Sequence, residues 1–186
     1  MDKFKNKYRI QSARLNGWDY GSSGIYFVTI CTKHKQQCFG EIQNNVETQN
    51  IASLHCAFLR ETEIGNIAHQ HWLEIPNHFP FEELDAFVIM PNHVHGILVI
   101  DRPEYNDWTP NRFIPQSRNL PSIIRGYKAS VKKYAMTHNI LFAWQPRYFD
   151  KIVWDETMLK RIRQYIANNP IQWFTDKAEA ENISIK

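Results

Sequence analysis

Apolar positions along the chain fall into two patterns, unbroken runs and stripes at helical spacing, and the two predict different elements. IYFVTICT at 25–32 is a β-branched and aromatic run, which predicts a buried strand. A polar stretch, KHKQQ, leads to CFGEI, and HCAFL follows at 55–59, so a hairpin with NNVETQN as its loop is expected. Over Glu61–Ile75, the positions Ile64, Ile67, Ala68, His71, Trp72 and Ile75 recur at helical spacing, and Pro76 is expected to stop that helix. LDAFVIMPNHVHGILVID at 84–101 holds two apolar runs, Ala86–Met90 and Gly96–Ile100, around Pro91-Asn92. Proline cannot continue a buried ladder and Pro-Asn favours a turn, so these are two strands with a tight connection.

The second half repeats the alternation. Arg102–Arg118 reads as a proline-bearing polar loop, and a helix is expected from Leu120 to His138 with Ile123, Ile124, Tyr127, Val131 and Ala135 in its stripe. Ala143–Trp154 reads as a loop entering a short strand. Asp155 then caps a helix over 156–169 that buries Leu159, Ile162 and Ile166, with Pro170 placing Asn169 in its last turn. Strand, hairpin, helix, strand pair, helix, strand, helix is the order of an α+β protein. The expected architecture is a two-layer ferredoxin-like (RRM-like) sandwich, with a mainly antiparallel sheet and helices on one face.

Composition narrows the class. At 186 residues, 43% of them apolar and 13% aromatic, the chain suits one globular domain. A basic arm is expected over 1–22, a folded domain over 23–174 and a polar tail over 175–186. No apolar run approaches the roughly 20 residues that cross a bilayer. MDKFKNKYRIQSARL has no apolar stretch behind its basic residues, so the cytoplasm is the expected compartment. Cys31, Cys38 and Cys56 are odd in number and form no Cys-x-x-Cys, which fits ordinary buried thiols. A net charge of +3 permits a nucleic-acid partner without demanding one.

The candidate chemistry starts at His93 and His95. Residues two apart on a strand share a face, so both imidazoles project together with Val94 in the opposite layer. Such a pair suits a divalent metal, and equally two polar neighbours at a sheet rim. His69 and His71 have the same spacing on a helix, where it sets them about 200° apart, so they are read as structural. Tyr165 and Asn169, four apart, share a helix face. Arg125, Lys128 and Lys132 line up at i, i+3 and i+7, as a solvated face or a phosphate contact.

Taken together the residues resemble a known set. MPNHVHGILV is similar to the His-hydrophobic-His motif of the HUH single-strand endonucleases, and YIANNP followed by Trp173 resembles the tyrosine helix of their single-tyrosine transposase branch. With GIYFVTICT at 24–32, HFPFEELDAFVIMPNHVH at 78–95, IIRGYKASVKKY at 123–134 and WQPRYFDKIV at 144–153, the chain resembles the REP-associated tyrosine transposases over residues 20–174. Trp154 departs from the group, which usually carries arginine there. The resemblance implies Tyr165 as nucleophile and His93, His95 and Asn169 as ligands of Mg²⁺ or Mn²⁺. It implies cleavage and rejoining of single-stranded DNA near hairpins through a 5′-phosphotyrosine, by a monomer or a homodimer. Arg125, Lys128, Lys132 and Arg147 would track phosphates, and Arg9 and Arg14 in the arm would read the hairpin foot. Two other readings stay open: a non-catalytic RRM-like module for hairpin DNA or RNA, and a metal-dependent hydrolase in which water attacks and Tyr165 only packs.

Overall fold

The computed structural model describes residues 3–4, 7–8, 15, 17–46, 55–102 and 118–183, with backbone alone at 3–4, 7–8, 44–46, 55–56 and 175–183. Arg9, Arg14 and most of the polar loop between Arg102 and Arg118 lie outside the described residues. Strands β1 (Lys3–Phe4) and β2 (Lys7–Tyr8) form a small antiparallel ribbon. The domain follows as β3 (Gly24–Cys31), β4 (Gly40–Val46), β5 (His55–Glu61), α1 (Glu63–Leu73), α2 (Ile75–His78), β6 (Glu82–Met90), β7 (His93–Ile100), α3 (Leu120–Thr137), β8 (Phe149–Val153) and α4 (Glu156–Ile183).

The main sheet has the order β6-β7-β3-β8, antiparallel throughout, while β4 and β5 pair as a separate hairpin. Two β-α-β units interleave: β3-α1-β6 steps over β7, and β7-α3-β8 steps over β3. This is the expected α+β, ferredoxin-like sandwich. Strand β3 is central, which is why its sequence is an unbroken apolar run. Its Tyr26, Val28 and Ile30 pack with Val94 and Leu98 against Trp72 of α1 and Ile123, Tyr127 and Val131 of α3. On the other face Phe27 packs with Ile97 and Val153 against Leu159 and Ile166 of α4. Thus α1 and α3 cover one face, while α4 lies across the other; this corrects the expectation of helices on one face alone, since Phe27, Ile97 and Val153 make the second face apolar too.

Caps bound the helices as local chemistry dictates. The Thr62 hydroxyl accepts from Gly65 N–H, Asn119 and Ser122 form a reciprocal capping box, and the Asp155 carboxylate accepts from Met158 N–H at 2.8 Å. Three local expectations are corrected. Pro76 does not end a helix by exclusion: α1 stops at Leu73, and Pro76 sits in the first turn of α2, where its missing N–H costs nothing. Pro170 lies inside α4, which continues to Ile183 instead of ending at 169. Proline leaves the Ile166 carbonyl without its helical donor, but the tertiary contacts of Asn169 and Trp173 on either side of it hold the chain helical. Asn44 and Asn45, expected in a loop, extend β4 because they pair with Ala57 and Cys56. Among the described residues no helix is long and apolar enough to cross a membrane. Cys31 and Cys38 are free thiols, both partly buried; the Cys56 side chain lies outside the description.

Glu82, the first residue of β6, is 2% exposed, and neither carboxyl oxygen has a hydrogen-bond partner among the described residues. Burial pushes its carboxyl up to about 9. In the unfolded chain the group ionises near 4.5, so between those two values the native state holds a proton that the unfolded state releases. Stability is therefore fullest below the unfolded value and falls as pH rises through the window, by up to about 1.4 kcal/mol per pH unit. Glu82→Gln should flatten that slope and melt above the wild type at pH 8, with the gap closing toward pH 5, in thermal unfolding followed by circular dichroism.

Candidate active site

Strand β7 begins directly after the Pro91-Asn92 turn, and that turn is pinned: Thr32 donates to the Asn92 carbonyl through both its N–H (2.9 Å) and its hydroxyl (3.0 Å). The pleat sends Val94 into the α1/α3 core and His93 and His95 to the α4 face. Their rings lie 4.4 Å apart, centroid to centroid. Phe27 stacks on His95 at 5.4 Å.

The His93 tautomer follows from its partners. The Asn92 side-chain N–H₂ donates to the Lys35 carbonyl at 3.3 Å, which turns its amide oxygen toward His93 Nδ1 at 2.6 Å. An amide oxygen only accepts, so His93 carries its proton on Nδ1 and keeps a lone pair on Nε2. His95 Nδ1 lies 2.9 Å from Thr29 Oγ1, its register partner on β3, and Nε2 lies 3.2 Å from the Tyr165 hydroxyl. Thr29 and Tyr165 are both hydroxyls that can donate or accept, so either neutral tautomer of His95 satisfies the two contacts. Both imidazoles are held neutral. Burial brings His93 down to about 4, against a hydrogen bond with the Asn169 side chain that favours the charged ring, and with help from the Lys35 charge. Burial likewise brings His95 down to about 3, with His93 adding to the effect.

Tyr165 and Asn169 project from one face of α4. Tyr165 is 43% exposed and Asn169 is 8% exposed, so one meets solvent while the other is locked against His93. Trp173, one turn on, packs its ring 6.3 Å from His93. The helix is placed by Leu159 and Ile166 in the apolar layer and by a fork-to-fork pair at the opposite edge. Arg163 Nε donates to both Asp85 oxygens (2.9 and 3.1 Å) and its NH2 group to one of them (2.5 Å). Asp85 sits in the register shift between Leu84 and Phe87 on β6 and also accepts from Ala86 N–H. The Arg163 guanidinium holds the Asp85 carboxyl below its ordinary range.

The structure brings together Tyr165, His93, His95 and Asn169 within one chain. It does not bring Arg125, Lys128 or Lys132 to them, because α3 packs on the opposite face of the sheet. Lys128 Nζ donates to the carbonyls of Gln145 (2.7 Å) and Arg147 (2.9 Å), and Lys132 Nζ to that of Phe142, so both tether the segment leading into β8. Arg125 lines a cavity with Phe79, Phe81 and Arg118. Arg147 is exposed just before β8, with φ 68°. His69 and His71 bond Glu61 and Glu74, each at 2.8 Å, as structural side chains do. Trp154, at the position where arginine is usual, packs edge-on against Trp18 at 5.0 Å. Sequence reasoning missed Thr29, Asn92 and Lys35. Asn92 was visible only as a turn residue, and Thr29 could be found only from the strand register.

A pair of neutral imidazoles beside a buried asparagine amide is a donor set that fits a divalent cation of the Mg²⁺ or Mn²⁺ kind. Thr29 and Asn92 occupy the outer nitrogens as supports to metal-bound histidine do. Among the described residues no three His, Cys, Asp or Glu side chains cluster; a third protein ligand here would be the Asn169 amide.

The architecture and this cluster define a ferredoxin-like domain in which a helix-borne tyrosine faces a strand-borne histidine pair. No family model matches the chain. An uncharacterized protein of Haemophilus influenzae is 37% identical over 176 residues, covering 90% of this chain and 91% of that one. A putative REP-associated tyrosine transposase of the same organism is 24% identical over 161 residues, covering 83% of this chain and 74% of its own. The chain belongs to one family with the first of these two proteins, and it is similar over most of its length to the second, a REP-associated tyrosine transposase by name. Among solved structures, a REP-associated tyrosine transposase bound to a REP hairpin shares the fold with TM-score 0.54 at 16% identity, covering 87% of this chain and 74% of that one.

The tautomers give a direct check. In metal-free protein at pH 6, long-range ¹H–¹⁵N spectra should show both imidazoles neutral, with the His93 proton on Nδ1. A charged or Nε2-protonated His93 would contradict the Asn92 contact.

Proposed function

We propose that the chain is a metal-dependent single-strand DNA endonuclease and strand transferase that works through Tyr165 near DNA hairpins. The observation that carries this reading is the 3.2 Å approach of the Tyr165 hydroxyl to His95 Nε2, with Asn169 on the neighbouring imidazole. A packing tyrosine has no need of a buried, neutral histidine pair, and this one keeps nearly half its surface open to a substrate.

In this reading Tyr165 Oη attacks a backbone phosphorus, the phosphorus–O3′ bond breaks, and the phenolic proton passes to the released O3′. The products are a 5′-phosphotyrosine and a free 3′-OH. Because the ester bond is conserved, a second 3′-OH reverses the step and joins strands without another energy source. A divalent cation held by His93, His95 and Asn169 would neutralise charge on a non-bridging phosphate oxygen. Phe27 and Trp173 keep the imidazoles oriented and dry, and Asp85 with Arg163 sets the height of the tyrosine helix above the sheet. A single strand suits this recess, since an unpaired backbone bends into a site that a stiff duplex does not enter. The hairpin is inferred from the likeness to a REP-associated tyrosine transposase and from the REP hairpin held by the solved protein of like fold. Arg147 on the loop and Arg9 and Arg14 in the arm are the cations assigned to the DNA.

Hairpin oligonucleotides with single-stranded flanks, incubated with Mn²⁺, should give a protein–DNA adduct that survives denaturing electrophoresis. Tyr165→Phe should lower adduct formation by at least about a thousand-fold while leaving DNA binding in place. Binding without any adduct across a broad panel of such DNAs would leave a binding module instead. Product released with no covalent intermediate would point to attack by water.

The supports of the histidines are testable separately. Thr29→Ala or Asn92→Ala should weaken Mn²⁺ binding by roughly 10- to 100-fold, read from the electron paramagnetic resonance signal of the free ion. Unchanged affinity in both variants would remove the metal from this site.

A further inference from the structure

Phe149 is 51% exposed, although it opens a strand of the main sheet. The register places it in one row with the site. Thr29 on β3 pairs with His95 on one side and with Phe149 on the other. Partners across antiparallel strands project to the same face, so Phe149 stands on the face of His93, His95 and Tyr165. Two strand spacings separate it from His95, about 10 Å. Phe27 bridges the gap, with its ring 5.4 Å from His95, 6.2 Å from Tyr165 and 6.4 Å from Phe149.

The charges on either side matter as much as the ring. Lys151, two residues on along β8, shares the face and is exposed. Arg147, two residues before, is exposed as well. A single exposed aromatic is ordinary protein surface. An exposed ring continuous with an exposed tyrosine, and flanked by a cation at each side, has the chemistry of a single-strand track. Rings stack bases whatever their identity, and cations meet the phosphates between them. A protein partner's apolar patch would gain nothing from the two cations.

We propose that Phe149 is the stacking platform for the nucleobase adjoining the scissile phosphate, with Lys151 and Arg147 receiving the flanking phosphates. The proposal rests on the reading of the chain as a single-strand DNA enzyme and names where its substrate leaves the metal site. It assigns to β8, the edge strand beside the nucleophile, the task of setting the path of the strand.

The test is a binding cycle in a Tyr165→Phe background, where nothing is cleaved. Hairpin oligonucleotides with single-stranded flanks carry one abasic residue, moved position by position through the flank, and affinity is read by fluorescence anisotropy. Phe149→Ala should weaken binding roughly five- to a hundred-fold, and Phe149→Trp should restore it. One abasic position should produce a similar loss that does not deepen when Phe149→Ala is added. Additive losses at every position, or an unchanged affinity for Phe149→Ala in a protein that binds the DNA tightly, would remove the platform and leave the enzyme reading standing. Absence of binding by every such oligonucleotide would remove both.

Discussion

Strand β7 has to serve two faces at once, and the pleat alone lets it do so. On one side Trp72 of α1 presses so closely on Gly96 that a Cβ there would meet its ring at 2.1 Å. Val94 and Leu98 complete that face with no exposure at all. Such packing leaves the strand no freedom to slip, and a slip of one residue would exchange every inward and outward side chain. His93 and His95 are therefore held at one height and one orientation by a core they do not touch. Tyr127, whose hydroxyl donates to the Ala68 carbonyl at 3.0 Å and whose ring meets Trp72 edge-on, extends that restraint to α3.

The second restraint is the seating of α4. An apolar layer on Phe27 and Ile97 fixes its distance from the sheet, but a greasy contact by itself does not fix rotation or register. The Asp85–Arg163 fork does, because two parallel bonds tolerate little movement. It is placed at a β-bulge, where the strand turns a carboxylate outward at the edge nearest the helix. Tyr165 and Asn169 inherit their positions from this docking. Proline in the middle of the helix weakens one backbone bond beside the histidines, and the Asn169 and Trp173 contacts compensate for it.

A likeness to REP-associated tyrosine transposases and a tyrosine that meets a histidine pair within one chain make a coherent picture. The imidazoles are neutral because they are buried, and they are oriented because Asn92 and Thr29 occupy their outer nitrogens. Each of these supports comes from a different element, a turn and a neighbouring strand, so the site is a property of the sheet and not of the motif.

Much of the fold was legible in the chain. Runs and stripes located the strands and helices because the periods of 2 and 3.6 reflect burial on one face or both, and a shared face for residues 93 and 95 follows from strand geometry alone. The resemblance supplied Tyr165 and Asn169 as candidates. Proline was read by its local preference, and at 76 and 170 that preference lost, since a helix start tolerates it and tertiary contacts can override it. Register is the part no single sequence carries: which residue of β3 lies opposite His95 depends on how two distant runs slide until both cores fill. That sliding set Thr29 against His95 and Phe149 beside Thr29, and the docking of α4 brought residue 165 within 3.2 Å of residue 95. Local pattern determined what each segment would become; only the packed sheet decided which side chains would meet.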